Sequence, residues 1–224
     1  MPNQDQVATE SAAPAEAPAS PRTWTSRVWA WRHVWTVLVL IALAMYAYGD
    51  SIYCHLLGFD TYLQIIASRI QSWGDFVDTF REELTDGRIE ANFYRPIQNF
   101  SIALDYAIWG LNPLGYQLSS LLGLALCVIL MYATARRTLG PGAWAGPTVA
   151  TLVYCLHPAL MNVMPVPCRR SELLVTTFLL LTLLILPTRR DERVTLRLWL
   201  AGLMVMFASG AKDIGVMGLG LVFL

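Results

Sequence analysis

Long apolar runs separated by short polar breaks dominate the chain. The first, 33–49, holds no Asp, Glu, Lys or Arg and comes close to the roughly 20 residues a helix needs to cross a bilayer's hydrocarbon core. Trp24, Trp29, Trp31 and Trp35 gather around its start, where aromatic rings suit the membrane interface. A second uncharged run covers 106–135, but Pro113 interrupts it, so the spanning helix is placed at 114–135. The third covers 138–168, with Pro147 near its start and His157-Pro158 marking its end. The fourth is 173–186, and the fifth begins near Leu198. A sixth begins after Asp213 and meets Leu224 with no closing loop or cap, which reads as a chain cut within a helix. The predicted fold class is all-α, a polytopic transmembrane helical bundle with about five spanning helices and part of a sixth.

Between the first two spans lies a long segment, 50–105. Its residues Tyr62, Leu63, Ile65, Ile66, Ile70, Trp73, Phe76, Val77 and Phe80 recur at helical spacing. That pattern predicts one or two amphipathic helices lying on the membrane surface within the first outer loop. After a polar turn around Asp86-Gly87, residues 95–109 form another such stretch, with Pro96 suited to a first helical turn and Asn112-Pro113 ending it. Residues 1–21 are rich in Ala, Pro, Ser and Glu and lack large aromatics, so they cannot bury enough surface to order themselves. The expected organisation is a disordered cytoplasmic tail and interfacial segment over 1–32, followed by a membrane domain over 33–224.

Composition sharpens this picture. Hydrophobic residues make up 55% of the 224, charged residues only 14%, and the mean hydropathy is +0.47, which excludes an ordinary soluble domain. Zero net charge excludes a generally basic nucleic-acid binder. Placement of the charges is more informative. Arg22, Arg27, Arg32, Arg136, Arg137, Arg189, Arg190, Arg193 and Arg197 all fall on one side if the tail is cytoplasmic, as the positive-inside bias requires. The segment 50–105 then faces outward, with nine acids against four arginines. The first cations lie well inside the chain, so the first apolar run is expected as an uncleaved anchor. A multi-pass integral membrane protein, of a bacterial inner membrane, is the expected setting. None of the four cysteines forms a CxxC; Cys127 and Cys155 read as packing residues, while Cys54 and Cys168 read as outer-side thiols, either free or paired.

Five groups carry candidate chemistry. Asp60, in Gly58-Phe59-Asp60, stands just after the first span, where a carboxylate can act as general base towards an acceptor hydroxyl; an N-cap of the following helix is the alternative. Arg169, Arg170 and Glu172 sit at the outer edge of the fourth helix. Guanidinium groups there can bind a lipid-carrier phosphate, or they can simply pair with the glutamate. His157 either orients a substrate or ends its helix. Arg95 opens the second amphipathic stretch. Lys212, the sole lysine among sixteen cations, stands with Asp213 between two apolar runs. Ionisable groups at membrane depth tend to be functional, although a short interhelical loop explains the pair as well. No constellation of paired carboxylates with His suggests a metal.

Taken in order, these residues resemble the GT-C superfamily of polytopic glycosyltransferases, and most closely the protein O-mannosyltransferases whose membrane part is followed by tetratricopeptide repeats. The resemblance covers about 35–224. It is carried by Gly58-Phe59-Asp60; by Tyr94-Arg95-Pro96, Leu104-Asp105-Tyr106, Trp109-Gly110-Leu111-Asn112-Pro113 and Gly115-Tyr116; and by His157-Pro158, Arg170-Ser171-Glu172-Leu173-Leu174 and Ala211-Lys212-Asp213. The chain departs from the family where two adjacent acids are common, since Thr61 follows Asp60. The resemblance implies transfer of a sugar from a polyprenyl or dolichyl phosphate donor to a protein hydroxyl or an envelope glycan on the outer face. Asp60 would be the base, with Arg95, His157, Arg169, Arg170, Glu172, Lys212 and Asp213 shaping the donor phosphate and sugar sites. No cofactor or metal is expected. The partners would be the lipid-linked sugar, membrane lipids and the acceptor, with no nucleic acid. A transporter segment and a non-catalytic scaffold or degenerate family fragment stay open as alternatives, and a chain ending at Leu224 would be expected to lack robust activity.

The orientation has a direct check. A cysteine introduced by Ser11→Cys should react with a membrane-impermeant maleimide only after permeabilisation, whereas native Cys54 or Cys168 should react in intact cells. The opposite pattern would reverse the topology.

Overall fold

A computed structural model describes residues 24–81, 94–140, 142–187 and 193–223. The expected disordered tail at 1–21, the polar turn at Asp86-Gly87 and the loop arginines Arg189 and Arg190 lie outside the described residues. Among the described residues every regular element is helical.

The first helix, α1, covers Trp24–Tyr48 and is prolonged by a 3₁₀ turn, Gly49–Tyr53. It starts well before the uncharged run because 24–32 contain neither Pro nor Gly to stop it. The loop region contributes α2 (Phe59–Ala67), α3 (Trp73–Asp78) and α4 (Pro96–Trp109). Pro96 takes the first position of α4, as its fixed φ and missing N–H favour. A corner then leads into α5, Pro113–Leu139. There the Asn112 side chain accepts from the Leu114 amide at 3.2 Å, and the Tyr116 hydroxyl donates to the Gly110 carbonyl at 2.8 Å. A Cβ on Gly115 would come within 2.1 Å of Trp109 Cγ, so only glycine lets the indole close this corner.

After α5 come α6 (Ala145–Cys155), the single turn α7 (Leu160–Val163), a 3₁₀ turn Pro167–Arg170, α8 (Ser171–Ile185), α9 (Val194–Ala211), a second 3₁₀ turn Asp213–Met217 and α10 (Gly218–Phe223). The predicted third run thus divides into α6, α7 and a 3₁₀ turn. Pro158, Pro165 and Pro167 lack the amide protons an unbroken helix needs. Among the described residues three helices are long and apolar enough to cross a membrane: Trp31–Tyr53, Pro113–Leu139 and Val194–Ala211. The 11 residues of α6 and 15 of α8 span only about 16 and 22 Å at 1.5 Å per residue. Exposed Trp35, Leu122 and Trp199 on the three long helices fit an apolar surrounding, as expected of a membrane protein.

Two cores hold the chain together. The larger joins Leu40, Ala44 and Tyr48 of α1 to Leu124, Cys127 and Val128 of α5, Cys155 of α6 and Leu173 of α8. The smaller packs Leu56, Ile65 of α2 and Ile102 of α4 around the fully buried Tyr116 of α5. The Arg69 guanidinium lies 4.6 Å from the Tyr106 ring centroid and adds a cation–π contact on this side. Beside them α3 begins with a capping box formed by Ser72 and Asp75. The Asp75 carboxylate accepts from the amides of Gln71 and Ser72 at 2.7 and 2.9 Å, and the Ser72 hydroxyl accepts from the Asp75 amide at 3.2 Å. The Gln71 amide, above all, holds the Asp75 carboxyl below its ordinary pKa. The Phe76 ring of α3 is the centre of an aromatic cluster, with Trp73 stacked on it at 5.1 Å, and with Phe80 and, from α4, Phe100 meeting it edge-on at 5.5 and 6.2 Å.

The end where α5 finishes and α6 starts gathers arginines. Arg32 stacks on the Trp144 ring at 4.1 Å, Trp144 Nε1 donates to Thr36 at 2.9 Å, and Arg137 donates to the last carbonyls of α8, Leu184 and Leu186. Cations at helix C-termini complement the carbonyl dipoles.

At the opposite end one buried ion pair ties the two cores. Arg170 Nη1 lies 2.5 Å from Asp105 Oδ2, with both side chains at most 7% exposed. Nη2 donates to the Tyr116 carbonyl at 2.9 Å and Nη1 to the Ser101 hydroxyl at 3.2 Å, while Ser119 donates to Asp105 Oδ1 at 2.7 Å. Removing one member leaves the other charge buried and unpaired, at a cost of about 3–5 kcal/mol. Asp105→Asn and Arg170→Met should each lower the thermal unfolding midpoint of the purified protein strongly. The double variant Asp105→Leu/Arg170→Met should recover part of the loss.

Candidate functional site

At this same end a cavity of about 760 Å³ opens between the smaller core and α6 to α8. Backbone segments far apart in the sequence build its wall. The first turns of α2 and α4 supply Asp60 and Arg95; the turn after α6 supplies His157; the start of α8 supplies Glu172; and the residue after α9 is Lys212. Arg169, on the 3₁₀ turn before α8, completes the charged lining.

Each side chain reaches the cavity for a local reason. Gly58 has φ +88° and serves as the N-cap of α2, a conformation L side chains rarely adopt. It makes no side-chain cap bond, and Asp60 stands one position into the helix, so the capping alternative for Asp60 is not realised here. Asp60 is exposed to the cavity and has no hydrogen bond or ion pair among the described residues. Its neighbour Thr61 is 1% exposed and donates to the Leu57 carbonyl at 2.5 Å. Where the resemblance leads to the expectation of a second acid, this chain therefore has a hydroxyl engaged by its own backbone.

Lys212 has φ −163° and ψ 145°. In this extended conformation successive side chains point to opposite sides. Lys212 reaches Glu172 of α8, and Asp213 reaches Arg95 at the foot of α4 at 3.6 Å. The dipeptide thereby bridges two walls. Asp213 is itself 62% exposed and does not line the cavity.

Arg169 and Arg170 are neighbours in sequence with different surroundings. Arg169 is exposed, donates to the Asn162 carbonyl at 3.2 Å and has no carboxylate partner among the described residues. Arg170, expected at the phosphate, is instead 5% exposed and fully occupied by Asp105, Ser101, Tyr116 and Ser120. It supports the wall from behind. The expected local pairing of these arginines with Glu172 does not occur, because Lys212 takes the glutamate.

His157 turns its Nδ1 back to accept from the Ala159 amide at 3.2 Å, and its carbonyl accepts from the Tyr48 hydroxyl at 3.2 Å. The neutral ring therefore carries its proton on Nε2. Its first duty is to shape the turn, with Nε2 left over for a ligand. Gln64, Gln98, Tyr154, Cys168 and Thr176 also line the cavity and were not expected. Their positions held a signal: Gln64 follows Asp60 by four residues and Gln98 follows Arg95 by three, the spacings that share a helix face. All four cysteines are free thiols. Among the described residues no three His, Cys, Asp or Glu side chains cluster as metal ligands would.

Chemically, among the described residues the cavity combines a carboxylate without a partner, a guanidinium without a carboxylate partner, and two ion pairs at its rim. Comparison with protein-family models, with curated proteins and with solved structures found no match to this chain.

The rim pair should behave unlike the buried one. Lys212 and Glu172 are 28% and 44% exposed, so solvent screening limits their pairing to about 1 kcal/mol or less. Lys212→Met and Glu172→Gln should leave the thermal midpoint within a few degrees of the parent, in contrast to Asp105→Asn. A loss as large as that of Asp105→Asn would make the pair structural.

Proposed function

We propose that the chain is the membrane part of a GT-C-type glycosyltransferase, multi-pass with a cytoplasmic N-terminus, seated in a bacterial inner membrane with its cavity on the outer face. It moves a sugar from a polyprenyl or dolichyl phosphate to a protein hydroxyl or an envelope glycan. The observation that carries this reading is the coexistence, in one cavity, of Asp60 and Arg169, neither of which has an ionic partner among the described residues.

The chemistry needs both. An acceptor oxygen attacks the anomeric carbon of the donor, the bond from that carbon to the phosphate oxygen breaks, and its electron pair leaves with the phosphate. Asp60 takes the acceptor's proton as the new bond forms. Charge grows on the departing phosphate, and Arg169 and Lys212 stabilise it, acting more strongly where water is excluded than they would in bulk solution. Glu172 and Asp213 hold Lys212 and Arg95 in place before the donor arrives. The segregation of arginines to the opposite end of the helices supports the orientation. A lipid-borne donor enters from the bilayer, which suits a cavity flanked by surface helices and spanning helices.

Asp60→Asn should abolish transfer from radiolabelled polyprenyl-phosphate sugars, by at least about 100-fold given the usual contribution of a general base. Binding of the lipid phosphate should persist. Arg169→Ala should instead weaken binding. Transfer undiminished in Asp60→Asn would remove Asp60 as base, and an absence of binding to any lipid phosphate by the folded parent protein would overturn the reading.

A further inference from the structure

The charged residues occupy only part of the cavity wall. One helical turn deeper than Asp60 on α2 lies Gln64, and one turn deeper than Arg95 on α4 lies Gln98. Both amides are almost completely buried, at 3% and 1% exposure.

Their orientation is set by a chain of hydrogen bonds with a fixed end. Gln98 Nε2 donates to the backbone carbonyl of Cys168 at 2.5 Å and to Gln64 Oε1 at 3.2 Å. A backbone carbonyl can only accept, so the Gln98 amide cannot flip without setting oxygen against oxygen. That in turn fixes Gln64 Oε1 as an acceptor and its Nε2 as a donor, to Asn99 Oδ1 at 3.3 Å, which also accepts from Ser68 at 3.3 Å. One valence is left at the end of the chain. Gln98 Oε1 is buried and has no hydrogen-bond partner. A buried acceptor left unsatisfied is destabilising, and native interiors rarely tolerate one without a reason.

The missing partner must be a donor. A phosphodiester at neutral pH brings only acceptors, and a polyprenyl chain brings neither donors nor acceptors. A sugar brings hydroxyl groups. We infer that Gln98, oriented by Gln64 and Cys168, is a specificity-determining residue that accepts a hydrogen bond from a hydroxyl of the donor's sugar. The cavity is then divided by chemistry: Arg169 and Lys212 face the phosphate, and the amide wall of α2 and α4 faces the polyol. This rests on the glycosyltransferase reading and names the part of the site that recognises the sugar. A volume of about 760 Å³ lies within the range of small-molecule sites and accommodates a hexosyl phosphate.

The test compares affinities of the whole protein in lipid nanodiscs for polyprenyl phosphate, for polyprenyl-phosphate hexoses, and for the same hexoses with single hydroxyls replaced by fluorine. Fluorine keeps size and polarity but cannot donate. The parent protein should bind the cognate glycosylated lipid about tenfold more tightly than the bare lipid phosphate. One fluoro analogue should lose that advantage. Gln98→Met should bind cognate and fluoro ligands equally while retaining its affinity for the bare phosphate, which also reports that it is folded. Should Gln98→Met fail to fold, the fluoro series on the parent protein decides alone. Equal binding of every fluoro analogue and its hydroxyl parent overturns the inference, and so does a Gln98→Met variant that still discriminates. Parent protein that binds bare lipid phosphate but ignores the sugar overturns this inference and leaves the phosphate site standing; binding of no lipid phosphate overturns both.

Discussion

An arginine buried among apolar helices is tolerated only when every one of its charges and protons is answered, and Arg170 meets that condition with groups from two other helices. Asp105 and Ser101 reach it from α4, and the Tyr116 carbonyl and Ser120 from α5. The loop helices have few apolar contacts of their own; Leu56, Ile65 and Ile102 meet the rest of the protein chiefly through Tyr116. The guanidinium therefore does what a larger core would otherwise do, fixing α4 against α5 and the start of α8. The cost of dehydrating two charges means the pair contributes more to uniqueness than to net stability. Its misalignment would open the back of the cavity, because Gln98 and Arg95 both ride on α4.

With that wall fixed, the cavity sorts its charges by how they are paired. Arg170 and Asp105 are buried and paired with each other. Lys212 and Glu172, and Arg95 and Asp213, pair at a wetter rim, where the attraction is screened and an incoming anion can compete. Asp60 and Arg169 face the space with no ionic partner among the described residues. The gradient from satisfied to available charge follows solvent access, and it leaves chemistry to the residues that are cheapest to rearrange. The amide chain from Ser68 to Gln98 adds a second, uncharged polarity one helical turn further along α2 and α4, anchored by a backbone carbonyl that cannot turn.

Much of the helical framework was legible in the residues alone. Long apolar runs locate α1, α5 and α9, Pro96 and Asn112-Pro113 bound α4 and α5, and the aromatic periodicity through Trp73, Phe76 and Phe80 marks a surface layer. The third apolar run was harder to read. Its composition is continuous, but prolines at 158, 165 and 167 stop it short of a membrane's thickness and lay its last part across the cavity as α7 and a 3₁₀ turn.

The sequence by itself determined that this protein is helical, that it carries helices fit to span a membrane, and that its acidic and basic residues separate along the chain, because helix length, hydropathy and breakers are local properties. Only the tertiary structure decided what adjacent polar residues do. Asp60 and Thr61 diverge by about 100° around a helix, Arg169 and Arg170 by about 120° on a 3₁₀ turn, and Lys212 and Asp213 point oppositely from extended backbone. In each pair the two members meet different surroundings, and those of Arg170, Lys212 and Asp213 are set by segments tens of residues away. Gln64 and Gln98 show the same limit more sharply. An uncharged amide carries no sequence signal beyond its spacing, and it acquires meaning only when packing removes its water and leaves one acceptor unanswered.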